Sequence, residues 1–386
     1  MKKYFKYALL FVAACTISFS LVACGDDKND SNPTPTPEIP TDETAADIDY
    51  SSAYAEQWAN YMVTVSGLLK DDAQTLYDEW NDGYADIFKN HNTSEYKSAI
   101  ECVEQIFDGC IDIAGEVGDT KIGDPYQKYV AGNTTEALYA VESWYSWHSR
   151  DDYRNNIYSI RNAYYGSRDG SINANSLSAL LAAKDADLDA QAKTLIKAAA
   201  DAIYAIPQPF RNNINSKETV AAMDACADLG DFIEKELKPY FDENINDDAT
   251  LDPVIKQYVD AVVLPTYKEL AEKNAALDTA VRAFKSNPSN SAFTACANAW
   301  LSAREPWESS EAFLFGPVDE LGLDPNMDSW PLDQAQIAEI LKSQNFTNLN
   351  WNDGDADDKV EAAQNLRGFH TLEFLIFKDG KARTVK

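Results

Sequence analysis

Apolar residues in this chain recur every three or four positions over long runs, and this repeat constrains the fold more than any other feature. Tyr54-x-x-Gln57-Trp58-x-x-Tyr61-Met62-x-x-Val65 and Val103-x-x-Ile106-Phe107-x-x-Cys110-Ile111-x-x-Ala114 each set one buried stripe along a helix. Residues 188–206 are Ala-rich and close at Pro207 and Pro209, while 217–243, 254–284 and 292–313 carry the same period. No stretch alternates at period two for long enough to make a sheet. Breaks are expected at 115–132, 166–175, 206–216, 244–252, 287–291, 316–332 and 345–355. Long helices joined by such loops predict an all-α fold built of helix bundles.

The first residues read differently. Lys2, Lys3 and Lys6 precede an apolar run ending in Leu21-Val22-Ala23-Cys24, a lipobox, so residues 1–23 are read as a lipoprotein signal peptide and Cys24 as the lipidated first residue. The run is too short and too small-ended for a membrane span. Residues 24–47, with Pro33, Pro35, Pro37 and Pro40 among Thr, Asp and Asn, cannot bury a core and predict a disordered tether. The expected location is the cell envelope, with the folded part held at an outer membrane by the lipid alone, on its periplasmic or its surface face.

Charge and cysteine usage narrow the function. A net charge of −30 argues against nucleic acid and favours cationic partners. Cys102, Cys110, Cys226 and Cys296 show no Cys-x-x-Cys zinc spacing and sit among apolar helix formers, so buried free thiols are expected.

The chemistry concentrates near the C-terminus. The chain has three histidines, and one of them, His370, is followed three positions later by Glu373, which puts both side chains on one helical face. Such a pair alone is more often a surface ion pair than half of a metal site. Two further stretches stand with it: Arg304-x-x-Trp307-Glu308-x-x-Glu311-Ala312-Phe313, and Asp328-Ser329-Trp330-Pro331. Together with Gly368-x-His370-x-x-Glu373 they resemble the imelysin-like family, bacterial envelope proteins described both as metallopeptidases and as iron-regulated proteins.

The resemblance implies two four-helix bundles packed side by side, and their order here is unusual. In most chains of this kind the Gly-x-His-x-x-Glu motif lies in the first half, whereas here 13 residues follow Glu373. Glu116-Val117-Gly118 and Glu142-Ser143-x-x-Ser146 resemble segments that usually come after the motif. The chain therefore reads as a circular permutation of the family, with residues 48–250 as one bundle and 251–386 as the bundle carrying the motif. Permutation requires the two ends of the folded region to meet.

By their spacing, Arg304, Trp307, Glu308 and Glu311 fall on one helical face, and Glu142, Ser146 and Ser149 on another. Ser149 with Asp152 reads as a capping box, His148 as a loop residue beside it, and His91 as loop. Convergence of these faces on His370 would make a cleft suited to a divalent or trivalent metal ion, iron first, bound mainly through oxygen. The family motifs imply His370, Glu373, Glu308 and Glu311 as ligands, with Arg304, Trp307, Glu116, Glu142, Ser146, Ser149 and Asp152 lining the pocket between the bundles. The expected function is binding of a metal ion or metal chelate for iron uptake, with uptake partner proteins. One alternative is a metallopeptidase, which meets the difficulty that the second histidine of a zinc helix is absent. The other is a surface interaction module without a small ligand.

Overall fold

The computed structural model describes residues 49–351 and 355–385. The signal peptide, Cys24 and the tether of residues 24–47 lie outside the described residues.

The periodic runs become helices where predicted. Helix α1 (Ala55–Glu79) buries Trp58, Tyr61, Met62, Val65, Leu69 and Leu76, the stripe that its period dictates. It is followed by α2 (Ala99–Gly115), α3 (Ser149–Tyr165), α4 (Ala186–Ala205) and α5 (Lys217–Phe232). The second half supplies α6 (Asp248–Tyr258), α7 (Leu264–Ser286), α8 (Asn290–Glu308) and α9 (Gly368–Ile376). Several starts are fixed by side-chain caps: Asp185 accepts from the Leu188 amide, Ser216 from Thr219, Asp247 from Thr250 and Ser289 from Ala292. Gly166 closes α3 in the left-handed conformation. All four described cysteines are buried free thiols.

Helices α1, α7, α8 and α9 pack on one another, and α2, α3, α4 and α5 form a second group, joined to the first where α3 meets α8. The described part of 38–386 is one compact unit. The expected boundary at residue 250 does not follow the packing, because α1, from the first half, lies against α7 from the second. Helix pairing is set by which stripes face each other, and chain position does not restrict it.

Two local expectations are corrected. The break at 115–132 is absent: the chain runs on from α2 through wide π-type turns at Glu116–Ile122 into another helix, Gly123–Val130. In the other case, residues 141–148 are not helical, so Glu142, Ser146 and Ser149 do not share a helix face. Ser143 (φ 54°) and Trp147 (φ 62°) take left-handed backbone there. The segment is held by cross-links: Ser149 Oγ donates to the Glu142 carbonyl (2.5 Å), Arg211 to the Trp144 carbonyl (3.2 Å) and the Gly380 amide to the Tyr145 carbonyl (2.9 Å). Ser149 is therefore a tie for this loop, and the capping box is not formed.

The ends of the described region meet. Arg383 Nη1 donates to Asp49 Oδ1 at 2.7 Å, and the Val385 amide donates to Asn290 at 2.7 Å. Residues Phe377–Lys378 and Lys381–Ala382 form a short antiparallel hairpin beside them. Among the described residues no helix is long and apolar enough to cross a membrane.

A candidate metal centre buried between the helix groups

Gly368 shows why the motif begins with glycine. Its φ is +82°, and a Cβ there would come within 2.4 Å of the Met327 carbonyl oxygen. The absent side chain lets the segment carrying Asp328 press against the start of α9. That approach brings His370 and Asp328 together. Gly109 acts likewise on α2, where a Cβ would lie 2.2 Å from the Ala312 carbonyl oxygen, so the short turn holding Glu311 packs directly on the helix.

His370 is fully buried, and its two ring nitrogens face different partners. Nδ1 lies 3.0 Å from Glu373 Oε2, while the other Glu373 oxygen accepts from the Ser146 amide (2.8 Å) and Ser146 Oγ (2.7 Å). Both carboxylate oxygens are engaged. Glu373 thus orients the imidazole through one oxygen and is held by Ser146 through the other. Nε2 faces Asp328 Oδ1 at 3.1 Å, Glu142 Oε1 at 3.4 Å and Arg304 Nη2 at 3.4 Å. The ring of Trp330 meets that of His370 edge-on at 4.9 Å, and Trp330 also lines a surface cavity of about 440 Å³.

Arg304, fully buried on α8, is the hub of the charges. Its guanidinium contacts Asp328, lies 2.6 Å from Glu142 and stands 3.6 Å from Asp152 through Nε. Glu308 Oε1 is 2.5 Å from Arg304 Nη2 but lacks hydrogen-bond geometry. Its other oxygen accepts from Asn156 Nδ2 at 2.5 Å. Trp307 Nε1 donates to Asp328 Oδ2 at 2.7 Å. Lys121, carried inward by the wide turns after α2, reaches Glu142 (3.0 Å), Glu116 (3.5 Å) and Glu311 (3.9 Å). Glu116 itself is about half exposed and sits at the rim, outside the expected pocket lining.

These contacts divide the carboxylates. Burial disfavours ionised Glu142, but Lys121 and His370 outweigh it and hold the group at about 2. Asp328 is held well below the ordinary range, against burial, by Arg304 and His370. Burial pushes Glu308 up to about 8 despite Arg304, and Glu311 well above its usual value despite Lys121. Burial and the Arg304 charge oppose a protonated His370, yet Asp328 and Glu142 hold it protonated well above the ordinary value. The cluster therefore contains more buried carboxylate than its fixed cations neutralise.

Of the residues singled out by sequence, His370, Glu373, Arg304, Trp307, Glu308, Glu311, Glu142, Ser146 and Asp152 are brought together. Asp328, Lys121, Asn156 and Trp330 complete the cluster and were not selected. Asp328 and Trp330 stand in one motif stretch, and Lys121 and Asn156 in the family-like segments that open at Glu116 and Glu142, Glu116–Ile122 and 141–157. Two triads offer ligand atoms within 4.8 Å of one another: Glu142, Asp328 and His370, and Glu308, Glu311 and Asp328.

The architecture defines an all-α protein with a histidine–carboxylate–arginine cluster buried where two helix groups meet. The model of the imelysin family matches residues 27–234 and 263–386, and the chain belongs to that family. A solved imelysin peptidase from Bacteroides ovatus is 61% identical, with a TM-score of 0.88 over 89% of this chain and 100% of that one. Iron-regulated protein A of Synechococcus elongatus is 35% identical over 124 residues, which span 32% of this chain and 31% of that protein.

Proposed function

We propose that this protein is an envelope lipoprotein that binds a metal ion, iron or an iron complex first among candidates, at the His370 cluster and serves iron uptake. The observation that carries the reading is the triad of Glu142, Asp328 and His370, whose ligand atoms lie within 4.8 Å of one another. One imidazole nitrogen and several carboxylate oxygens suit a hard or borderline cation, and its charge would match the surplus of buried acid. Arg304 contacts both Glu142 and Asp328, so binding requires it to share or release them. His370 must also lose its Nε2 proton to become a ligand. Family membership and the iron-regulated relative fit an iron-related function.

The test is metal analysis of protein purified without chelators or affinity-tag histidines. Bound cation is expected in the native chain, with affinity reduced at least about tenfold in His370→Ala. Equal metal content in both would sink the site and favour an interaction module without a small ligand. The anchor has its own test: Cys24→Ala should move the protein from the membrane to a soluble fraction, and unchanged sedimentation would remove the lipoprotein reading.

A metallopeptidase reading draws on the description of the solved Bacteroides ovatus relative as a peptidase. Glu373 is the natural general base, but both of its oxygens are already bound. We expect no cleavage of unfolded protein substrates with added zinc. Chelator-sensitive cleavage lost in Glu373→Gln would reverse that reading.

We also propose the permuted order, supported by the Asp49–Arg383 contact that the joined arrangement requires. A chain linked from residue 385 to 49 and reopened at residues 245–247 should fold with native helicity. A failure to fold would count against it.

A further inference from the structure

A second charged feature lies on the surface of α3 and α4, separate from the His370 cluster and opposite to it in sign. Arg150 and Arg154 both stack on the ring of Tyr204, each 4.3 Å from its centroid, and Arg154 (4.9 Å) and Arg161 (4.1 Å) both approach the ring of Tyr158. The result is a ladder, Arg150–Tyr204–Arg154–Tyr158–Arg161, along about 16 Å of helix. In a chain of net charge −30, none of these three arginines makes an ion pair among the described residues. Arg150 donates to the Ile206 carbonyl at 3.4 Å and Arg161 to its neighbour Asn162 at 2.9 and 3.2 Å. The Nε atoms of Arg150 and Arg154 are buried and have no hydrogen-bond partner. Beside the ladder is an open cavity of about 540 Å³ whose walls include Arg154, Arg161, Tyr158, Tyr165, Lys193 and Lys197.

Stacking on phenol rings fixes where these guanidiniums point without neutralising them. Two arginines on one ring repel, so a polyanion that met both would relieve the repulsion. Lys193 and Lys197 are paired with Asp189 and Asp201, and Asp201 is the carboxylate that lines the cavity. That leaves Arg154 and Arg161 as oriented, unneutralised donors.

We propose that the α3–α4 face around Arg154 and Arg161 binds a small polyanion, a molecule carrying two or more carboxylate or phosphate groups. Fixed guanidiniums recognise both groups through paired N–H donors. Lys193 and Lys197 are held by Asp189 and Asp201, so the two arginines carry the recognition.

The experiment is calorimetric titration of the purified protein with citrate and, separately, with pyrophosphate, at low salt and at about 0.15 M salt, where exposed charges are screened beyond roughly 8 Å. Saturable binding of at least one probe that persists at the higher salt is expected, and the two arms tell carboxylate from phosphate preference. Arg154→Ala with Arg161→Ala should weaken it about tenfold or more, with an unchanged circular-dichroism spectrum. Should that variant misfold, Arg154→Lys with Arg161→Lys, which keeps the charge and loses the paired donors, should weaken it by a smaller factor. His370→Ala should leave it unchanged, so this site and the metal reading stand or fall separately. No saturable heat at the higher salt with either probe, equal affinity in the arginine variants, or loss in His370→Ala instead overturns the proposal.

Discussion

The His370 cluster and the arginine ladder are two answers to the same problem of placing like charges close together. In the cluster, carboxylates from α3, α8 and the segments around Glu142 and Asp328 crowd one buried guanidinium, and water is excluded. On the ladder, three half-buried guanidiniums crowd two phenol rings with solvent nearby. Removing a hub charge inside low dielectric strands its partners, whereas removing one at a wet surface strands nothing. The difference teaches that losing a charge should cost far more stability in the cluster than on the ladder.

The largest effect should come from Arg304→Ala, which takes the hub cation from Glu142, Asp152, Glu308 and Asp328 and leaves Lys121, His148 and His370 to offset them. A loss of about 3–5 kcal/mol in denaturant unfolding is expected. A loss below about 1 kcal/mol would mean that the carboxylates neutralise one another by sharing protons, and the contrast with the surface would fail. Gly368→Ala comes next, since it meets both the positive φ and the Met327 carbonyl; about 3 kcal/mol is expected in the same measurement, with weaker metal binding as Asp328 is pushed from His370.

His148 lies between the two regions. Its Nδ1 is 2.7 Å from Asp152 Oδ1, and although burial opposes its charge, Asp152 raises it to about 9 from an ordinary 6.5. A raised value on a cationic group means that the native state holds the proton more tightly. The stabilisation is therefore fully present below pH 6.5 and is lost as pH rises through about 9. Wild type should exceed His148→Gln by about 2 kcal/mol at pH 6, and the gap should shrink toward zero above pH 9. A gap independent of pH would show that the ring contributes by packing alone. The smallest effect is expected for Arg154→Ala, about 1 kcal/mol or less, the scale of an exposed cation–π contact. A cost matching that of Arg304→Ala would recast the ladder as a structural element.

Much of this was legible before any coordinates. The three- and four-residue periods of residues 54–65 and 103–114 set helices, because one apolar stripe must be buried and a helix aligns it. Breaks such as 166–175 and 287–291 were placed where Gly, Pro and Asn interrupt the period, whereas the one cap read from sequence, Ser149 with Asp152, is not formed. Helical spacing put His370 with Glu373, and Arg304 with Glu308, on shared faces, and the family resemblance marked them as a site.

Where spacing no longer applied, the reading failed. The loop of Glu142 and Ser146 takes left-handed turns that are stable only because Glu373, Arg211 and Gly380 hold it from distant parts of the chain. The partners of Glu373 escaped the reading for the same reason, since Ser146 engages one oxygen and His370 the other. Asp328 and Lys121 join the cluster through the close approach at Gly368 and the wide turns after α2, which local pattern does not encode. The sequence alone determined the helices and the residues that share a turn, because those follow from short-range geometry. Only the tertiary structure decided which carboxylates meet His370, which cation neutralises them and that α1 pairs with α7, because these depend on how separate helices pack.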